Sequence, residues 1–88
     1  MENEIEKKSQ ILKAAANAKR LEILHCICKK EHSVGALEKL IDLSQSALSQ
    51  HLAVLRRAGI VKTRRKAQTI YYSLSNEHVK KLLKIFDL

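Results

Sequence analysis

The sequence predicts a mainly α-helical fold with one small β-hairpin, in the order α-α-α-α-β-β-α. Apolar residues recur at helical spacing in four segments before residue 59 and in one after residue 75. Two runs rich in β-branched and aromatic residues lie between them. With 88 residues, the chain is expected to be a single domain over 1–88. A monomer of this size buries about 60% of its unfolded surface, which favours a stabilising dimer.

The first two helices are predicted between residues 5 and 28. From about Ile5 to Ala16 the apolar positions form a weak stripe, typical of an amphipathic helix that cannot form a core alone. Asn17 is a candidate N-cap of the second helix. The apolar residues of that second helix are Leu21, Ile23, Leu24, Ile27 and Cys28.

A short third helix and a longer fourth helix are predicted next, with Ser33 and Ser44 as their caps. The fourth helix runs from about Gln45 to Ala58. A turn of three or four residues separates the two helices, which therefore form a helix-turn-helix. The residues that recur at spacings of four and three, and so mark the buried face of the fourth helix, are Leu48, Leu52 and Leu55.

The opposite face of the fourth helix carries no charge but many hydrogen-bonding groups. A merely solvated helix usually mixes Glu and Lys there, whereas Ser and Gln donate to and accept from base edges without repelling phosphate. We therefore expect this face to read DNA bases, with a polar solvated surface as the alternative. The face consists of Gln45, Ser46, Ser49, Gln50 and Ala53.

Two strands are predicted after Gly59, which is a natural residue to end the fourth helix. One strand begins at Ile60 and the other spans residues 69–74. Together with the basic tip between them they form a hairpin that acts as a wing, which completes a winged helix-turn-helix. Because the tip lacks Gly, Asn and Asp, we expect a loop longer than a tight two-residue turn.

The last helix is predicted to begin after Ser75, its candidate cap. Its apolar stripe has no obvious place in so small a core. We therefore expect the first and last helices to form the surface of a dimer. The stripe consists of Val79, Leu82, Leu83 and Phe86.

Positive charge is concentrated in the middle of the chain. The net charge is +8, and residues 43–76 contain six basic and no acidic residues. Such a stretch is the electrostatic footprint of a surface that binds a phosphate backbone. Three aromatic residues are too few for a platform that stacks single-stranded bases, so double-stranded DNA is the expected partner. The six basic residues are Arg56, Arg57, Lys62, Arg64, Arg65 and Lys66.

Several other classes of protein are disfavoured. No apolar run approaches the roughly 18 residues of a membrane span, and the acidic start is unlike a signal peptide, so a cytoplasmic protein without membrane contact is expected. No nucleophile stands with a base and an orienting carboxylate, and the two glycines form no phosphate-binding loop. We expect no enzyme activity, no catalytic residues and no cofactor.

The two cysteines, Cys26 and Cys28, face away from each other by about 200° on the second helix, which disfavours a disulfide between them. In a reducing compartment both can be small apolar side chains. Alternatively, Cys26 senses oxidants by a mixed disulfide or with a partner subunit. The neighbouring His25 would lower the thiol pKa and burial would raise it.

Five segments together resemble the ArsR/SmtB family of winged helix-turn-helix transcriptional regulators. They are residues 16–24 (ANAKRLEIL), 33–35 (SVG), 44–52 (SQSALSQHL), 55–61 (LRRAGIV) and 68–74 (QTIYYSL), so the resemblance covers nearly the whole chain. The sequence is closest to the HlyU/BigR-like branch, whose members respond to redox state or sulfur species. The resemblance implies a bacterial, nucleoid-associated homodimer joined through its first and last helices. The fourth helix would then enter the major groove of a roughly palindromic operator.

The family's effector sites are not matched here. The cysteines with which some members sense arsenic or cadmium fall on Ser33 and Gly35. The zinc-sensing pairs of the last helix have only Glu77 and His78 as counterparts, followed by lysines. No metal site is therefore expected.

The dithiol of the redox-responsive branch is also incomplete. Its first cysteine falls on His25, one residue before Cys26, and the last helix contains no cysteine. The family's intrachain pair is therefore not carried over.

Roles in DNA binding are assigned residue by residue. Ser46, Ser49 and Gln50 are the first candidates for base readout, whereas the arginines and lysines are expected at phosphates because no acid is near them in sequence. His51 is placed either to contact DNA or to pack against the third helix. The expected DNA-binding residues are Ser44, Gln45, Ser46, Ser49, Gln50, His51, Arg56, Arg57, Arg64, Arg65, Lys66 and Gln68.

The function predicted is a homodimeric repressor that binds double-stranded operator DNA through residues 45–58 and a basic wing at residues 64–68. A regulator that responds to thiol oxidation at Cys26 is one alternative. An activator that displaces a silencing protein is another, because these residues do not fix the sign of regulation. A winged helix that binds a protein partner would present an apolar or acidic face, unlike this one.

Overall fold

The computed structural model describes residues 2–88. Within that range the predicted helices and hairpin are confirmed, and a short strand precedes the third helix. The elements are α1 (Glu2–Ala15), α2 (Ala18–Ile27), β1 (His32–Ser33), α3 (Val34–Leu40), α4 (Gln45–Arg57), β2 (Val61–Lys66), β3 (Thr69–Leu74) and α5 (Glu77–Ile85). None of the described helices is long and apolar enough to cross a membrane.

Three of the predicted N-caps are confirmed. The Asn17 side chain accepts a hydrogen bond from the backbone N–H of Arg20 at 3.1 Å. Ser33 and Ser44 accept in the same way, each at 3.1 Å, from the N–H three residues later. Each cap satisfies one of the backbone donors that the first turn of a helix leaves without a partner. The starts of α2, α3 and α4 are therefore fixed locally.

The prediction that Ser75 caps the last helix is wrong. Asn76 is the cap, and its side-chain oxygen accepts from the backbone N–H groups of His78 and Val79 at 3.0 and 3.1 Å. The Ser75 hydroxyl instead donates to the carbonyl of Ile60 at 3.3 Å. Ser75 is drawn to that carbonyl because the chain passes beside the end of α4 before α5 begins.

The end of α4 turns the chain into β2. Gly59 has a φ of 73°, a left-handed conformation that glycine adopts without steric cost. Its N–H donates to the Arg56 carbonyl, and the N–H of Ile60 donates to the Leu55 carbonyl, both at 3.0 Å. These two bonds form a Schellman motif. Leu55 and Ile60 are both fully buried, so the apolar contact typical of that motif is available.

The strands form an antiparallel sheet in the order β1-β3-β2. Lys66 pairs with Thr69, so the hairpin loop contains only Ala67 and Gln68. The expected longer loop is therefore wrong. Ala67 adopts a φ of 56° and supplies the reversal that glycine or asparagine usually provides. As a consequence, the basic residues 64–66 lie within β2.

Strand β1 was not predicted because two residues show no alternation. His32 pairs with Tyr72, and Ser33 pairs with Tyr71, so β1 gives β3 a second neighbour. This pairing joins the start of α3 to the wing.

The core receives side chains from all five helices and from the hairpin. Leu48, Leu52 and Leu55 are at most 2% exposed, which confirms the predicted buried face of α4. Val79 and Leu83 of α5 are each 2% exposed, so the expectation that the stripe of α5 has no place in the core is wrong for these two residues. The stripe is divided, because two of its residues pack inward while others remain outside.

We predict that Gly59→Ala lowers the free energy of unfolding by about 1 kcal/mol. A Cβ at Gly59 would have no heavy atom within 4 Å, so the cost arises from the backbone conformation alone. The measurement is urea unfolding at one fixed protein concentration.

Gly35→Ala is the matched control. Gly35 lies in α3, and a Cβ there would meet only the Ser33 hydroxyl, at 3.9 Å. This substitution is expected to raise stability by roughly 0.5 kcal/mol because alanine favours the helix. If both variants shifted in the same direction, the conformational explanation would be wrong.

Candidate nucleic-acid interface

The outer face of α4 is continuous and polar. Gln45, Ser46, Ser49 and Gln50 are all exposed, and their spacing places them on one side of the helix, opposite the buried leucines. Among residues 2–88, the side chains of Gln45, Ser49 and Gln50 have no hydrogen-bond partner in the protein. Their donors and acceptors are therefore available to a ligand.

Both ends of this face carry groups suited to phosphate. At the start of α4, Ser44 is exposed and its hydroxyl caps the helix while lying 3.4 Å from the hydroxyl of Ser46. The first turn contains no acidic residue, so the positive end of the helix dipole is not offset there. Arg56 and Arg57 are exposed in the last turn.

His51 differs from its neighbours on α4 because it is half-buried and already bonded. Its Nδ1 lies 3.1 Å from Nη1 of Arg20, which belongs to α2. The hydrogen-bond partner of His51 therefore belongs to α2, a contact that the sequence did not predict. Nothing in the local sequence pointed to this contact, because the two residues are 31 positions apart.

Arg64 of the wing is paired with an acidic residue. Its Nε and Nη2 donate to the two carboxylate oxygens of Glu31, at 3.2 and 2.5 Å, and its guanidinium lies 4.7 Å from the ring centre of Tyr71. The hydrogen bonds that Arg64 donates to the Glu31 carboxylate lower the pKa of Glu31, and the same bonds raise the pKa of Arg64. The premise that no acid lies near Arg64 is therefore wrong, because β1 brings Glu31 to the wing.

Arg65 and Lys66 are exposed and have no acidic partner within the described chain. Successive residues of a strand point to opposite faces, so these two cations leave β2 on different sides. Gln68, in the loop, lines a surface groove together with Ser33 and Gly35. The wing tip therefore lies beside the start of α3.

The thiols are half-buried and free. Burial raises the pKa of Cys26, and the nearby Glu22 carboxylate and Cys28 raise it further. The Cys28 thiol donates to the His25 carbonyl at 3.1 Å. Both side chains pack against the core, which supports the apolar interpretation over that of a reactive thiolate.

Potential metal ligands are scattered over the part of the chain that is described. Residues 2–88 contain no group of three or more His, Cys, Asp or Glu side chains that could hold a metal ion. Ser33 is occupied as the cap of α3, and the Glu77 carboxylate accepts a bond from the Lys80 ammonium at 3.2 Å.

Comparison with known proteins identifies relatives that match most of the chain. Residues 17–63 match the family model described as bacterial regulatory protein, arsR family. The transcriptional activator HlyU of Vibrio cholerae is 51% identical over 85 residues, which cover 97% of this chain and 79% of that protein. The nodulation protein NolR of Rhizobium meliloti is 58% identical over 72 residues, which cover 82% of this chain and 59% of NolR. The biofilm growth-associated repressor of Agrobacterium fabrum is 44% identical over 73 residues, covering 83% and 62%.

Solved structures share the fold. HlyU from Vibrio cholerae N16961 superposes with a TM-score of 0.89 at 50% identity, covering 98% of this chain and 94% of that one. The homodimeric winged helix-turn-helix DNA-binding domain of Mb0332 from Mycobacterium bovis has a TM-score of 0.85 at 28% identity, covering 94% and 77%. The present chain thus spans most of each solved structure but less than two thirds of NolR and of the biofilm repressor.

We predict that Cys26 reacts slowly with iodoacetamide at neutral pH. The thiolate is the reactive form, and the raised pKa of Cys26 keeps its fraction below that of an ordinary thiol, which is half ionised at about pH 8.5. In Cys28→Ser, which retains Cys26 alone, the rate of alkylation should therefore rise with pH and reach its midpoint above about pH 8.5. Mass spectrometry follows the alkylation.

The same variant in denaturant is the control, because unfolding removes the burial and should return the midpoint to the ordinary value. If the alkylation rate of the folded variant had already reached its plateau below about pH 8.5, the interpretation of Cys26 as a buried apolar thiol would be wrong.

Proposed function

We propose that this chain, which belongs to the arsR family of bacterial regulatory proteins, reads a palindromic operator as a homodimer, with α4 at the bases and the wing at flanking phosphates. It is a DNA-binding transcriptional regulator, as its relatives are. The observation that carries the proposal is the uncharged Ser and Gln face of α4, free of protein partners and followed by exposed cations.

The chemistry of α4 suits base readout. Gln side chains can donate to and accept from an adenine edge at the same time, and Ser hydroxyls adapt to either role. The leucines on the opposite face anchor the helix in the core, so the polar face is held on a rigid element. A rigid support is what accurate hydrogen bonding to bases requires.

The wing supplies the charge for backbone contacts. Arg65 and Lys66 are exposed, have no acidic partner in residues 2–88 and are unrestrained by neighbours, which suits contact with phosphate. Arg64 differs, because a phosphate must compete with Glu31 for its guanidinium. We therefore assign the larger share of phosphate binding in the wing to Arg65 and Lys66.

A second copy of this chain is the proposed partner of α1 and α5. An apolar groove of about 620 Å³ runs between these helices and α2. Leu12 and Phe86 at this groove are 57% and 67% exposed, and Ile5 and Ile85 of the same two helices are more than 60% exposed. A small protein rarely leaves such apolar area in water without a partner. The homodimeric state of the Mb0332 domain supports this assignment.

Repression is the sign of regulation that we propose, since a protein seated on an operator blocks access to it. Activation by displacement of a silencing protein is the second candidate, favoured by the relative named an activator at 51% identity. In either case the protein acts on chromosomal DNA in the bacterial cytoplasm and carries out no catalysis. The raised pKa of Cys26 weighs against a thiol sensor.

Selection and binding of DNA test the proposal directly. A duplex is selected from a random-sequence library by the reduced protein, and its affinity is measured by fluorescence anisotropy against excess random DNA at several salt concentrations. We expect competitor-resistant binding, a steep salt dependence and two chains per duplex by sedimentation. Equal affinity for selected and random duplexes would contradict sequence-specific binding.

We predict that Gln50→Ala lowers discrimination between the selected and the random duplex by about 1 to 3 kcal/mol, because a bidentate base contact is lost. Binding to random DNA should hardly change. Gln10→Ala, which removes the same type of exposed side chain from α1, is the control and should retain discrimination. Unaltered discrimination in Gln50→Ala would exclude Gln50 from base readout.

We predict that Arg65→Gln weakens binding to every duplex alike and reduces the slope of log affinity against log salt by about one, as expected for one lost phosphate contact. Arg64→Gln should change the slope less, because its charge is already shared with Glu31. Lys84→Gln, an equal loss of charge at an exposed position on α5, controls for the change in net charge. An unchanged slope in Arg65→Gln would show that the wing assignment is wrong.

A further inference from the structure

Arg20 links three helices through a single side chain. It belongs to α2, its Nε donates to the Ala14 carbonyl at 2.5 Å and its Nη2 donates to the Lys13 carbonyl at 3.4 Å, both in α1. Its Nη1 meets Nδ1 of His51 in α4 at 3.1 Å. We propose that Arg20 is a positioning residue that ties α4 to the end of α1 and thereby sets the operator spacing that the dimer accepts. This inference rests on the proposed function.

The contacts to α1 satisfy groups that the helix itself cannot. Lys13 and Ala14 lie in the last turn of α1, where backbone carbonyls have no N–H four residues further along the helix to bond with. A guanidinium offers several donors in a fixed planar fork, so it can bond these carbonyls and a third group together. The end of α1 is therefore held against α2 by Arg20.

The contact to α4 fixes the state of the His51 ring. A guanidinium only donates hydrogen bonds, so Nδ1 of His51 must accept, and the ring proton of the neutral form must lie on Nε2. A ring with protons on both nitrogens could not accept this bond. Arg20 thus selects one tautomer and one ring orientation at a residue adjacent to Gln50 on the DNA-reading helix.

The two helices joined by Arg20 serve different parts of the proposed complex. Leu12 and Ala15 of α1 line the apolar groove assigned to the second copy, whereas α4 carries the polar face. The separation of the two α4 helices in a dimer depends on how each is set relative to α1. A rigid link between α1 and α4 therefore governs which half-site spacing is bound tightly.

A phosphate contact is the competing role for Arg20. Arg20 lines a groove together with Lys13 and Arg57, and such a basic groove could receive a DNA phosphate. The two roles differ in their consequences. A lost phosphate contact weakens all DNA and lowers the salt slope, whereas a lost positioning contact weakens only the correctly spaced operator.

The test uses the full chain and three DNA probes: the duplex selected by the unmodified protein, the same duplex with one or two base pairs inserted at its centre, and a random duplex. For Arg20→Gln we expect roughly tenfold weaker binding to the selected duplex, a smaller preference for the original spacing, and unchanged random binding and salt slope. In a His51→Ala background, Arg20→Gln should have little further effect on discrimination, because both substitutions break the same link.

Two further variants separate positioning from stability. Asn17→Ala removes the cap of the same helix without touching the contacts of the Arg20 side chain, so it should lower stability and retain the spacing preference. His51→Asn keeps an acceptor near the position of Nδ1 and should retain that preference better than His51→Ala. The His51 comparison also decides the question if Arg20→Gln fails to fold.

A nitrogen-15 NMR spectrum of the ring gives a readout without DNA. At about pH 8 we expect the Nε2–H tautomer of His51 in the unmodified protein and a mixture of the two tautomers in Arg20→Gln. An Nδ1–H tautomer in the unmodified protein would overturn the proposed link. Two other results would also overturn it. One is that Arg20→Gln weakens binding to all duplexes equally and lowers the salt slope. The other is that its effect on discrimination adds fully to that of His51→Ala.

A failure of the proposed function can be distinguished from a failure of the Arg20 proposal. In that case the unmodified protein selects no sequence, while the ring spectrum still reports whether Arg20 holds His51.

Discussion

The division of α4 into two faces is the constraint on which the rest of the structure depends. The same thirteen residues must bury leucines in the core and present Ser and Gln side chains to solvent. Because the two sets lie on opposite sides of one helix, any rotation of α4 that exposed the leucines would also misplace the polar face. The helix is fixed at both ends, by the Ser44 cap and by the left-handed turn at Gly59. Core packing and the presentation of the polar face therefore both depend on the orientation of α4.

The electrostatics of the surface depend on where the sequence lacks acidic residues and on where the fold places an acidic residue beside a cation. Residues 43–76 contain no acidic side chain, so no carboxylate of this stretch offsets the arginines at the end of α4 or the cations of the wing. Strand pairing then brings Glu31 to Arg64, which lies above Tyr71. That pair ties the segment before β1 to the wing across β3. The six cations of this stretch are consequently not equivalent, since Arg65 is free to respond to a ligand and Arg64 is held.

The helices outside the helix-turn-helix connect stability to function. The core takes Val79 and Leu83 from α5, and Phe86, the residue that follows this helix, remains exposed beside α1. A chain of 88 residues buries a smaller fraction of its surface than a large domain does. A large apolar surface left in water therefore lowers its stability unless a partner covers it. Arg20 joins α1, which borders that surface, to α4. In this arrangement the surface assigned to the second copy and the surface assigned to DNA are mechanically linked through one guanidinium.

The sequence alone determined the features that depend on neighbours along the chain. Cap residues such as Asn17 bond a backbone group three positions away, and helical spacing reveals which face is buried, so the order of elements and the polar face of α4 could be predicted. Tertiary structure decided the contacts between residues about thirty to forty positions apart. These include the pairing of β1 with β3, the Glu31–Arg64 pair and the Arg20–His51 contact. It also decided how the apolar stripe of α5 is shared between core and solvent. Local patterns carry no record of such contacts, because they form only when the packing of the whole chain brings the two partners together.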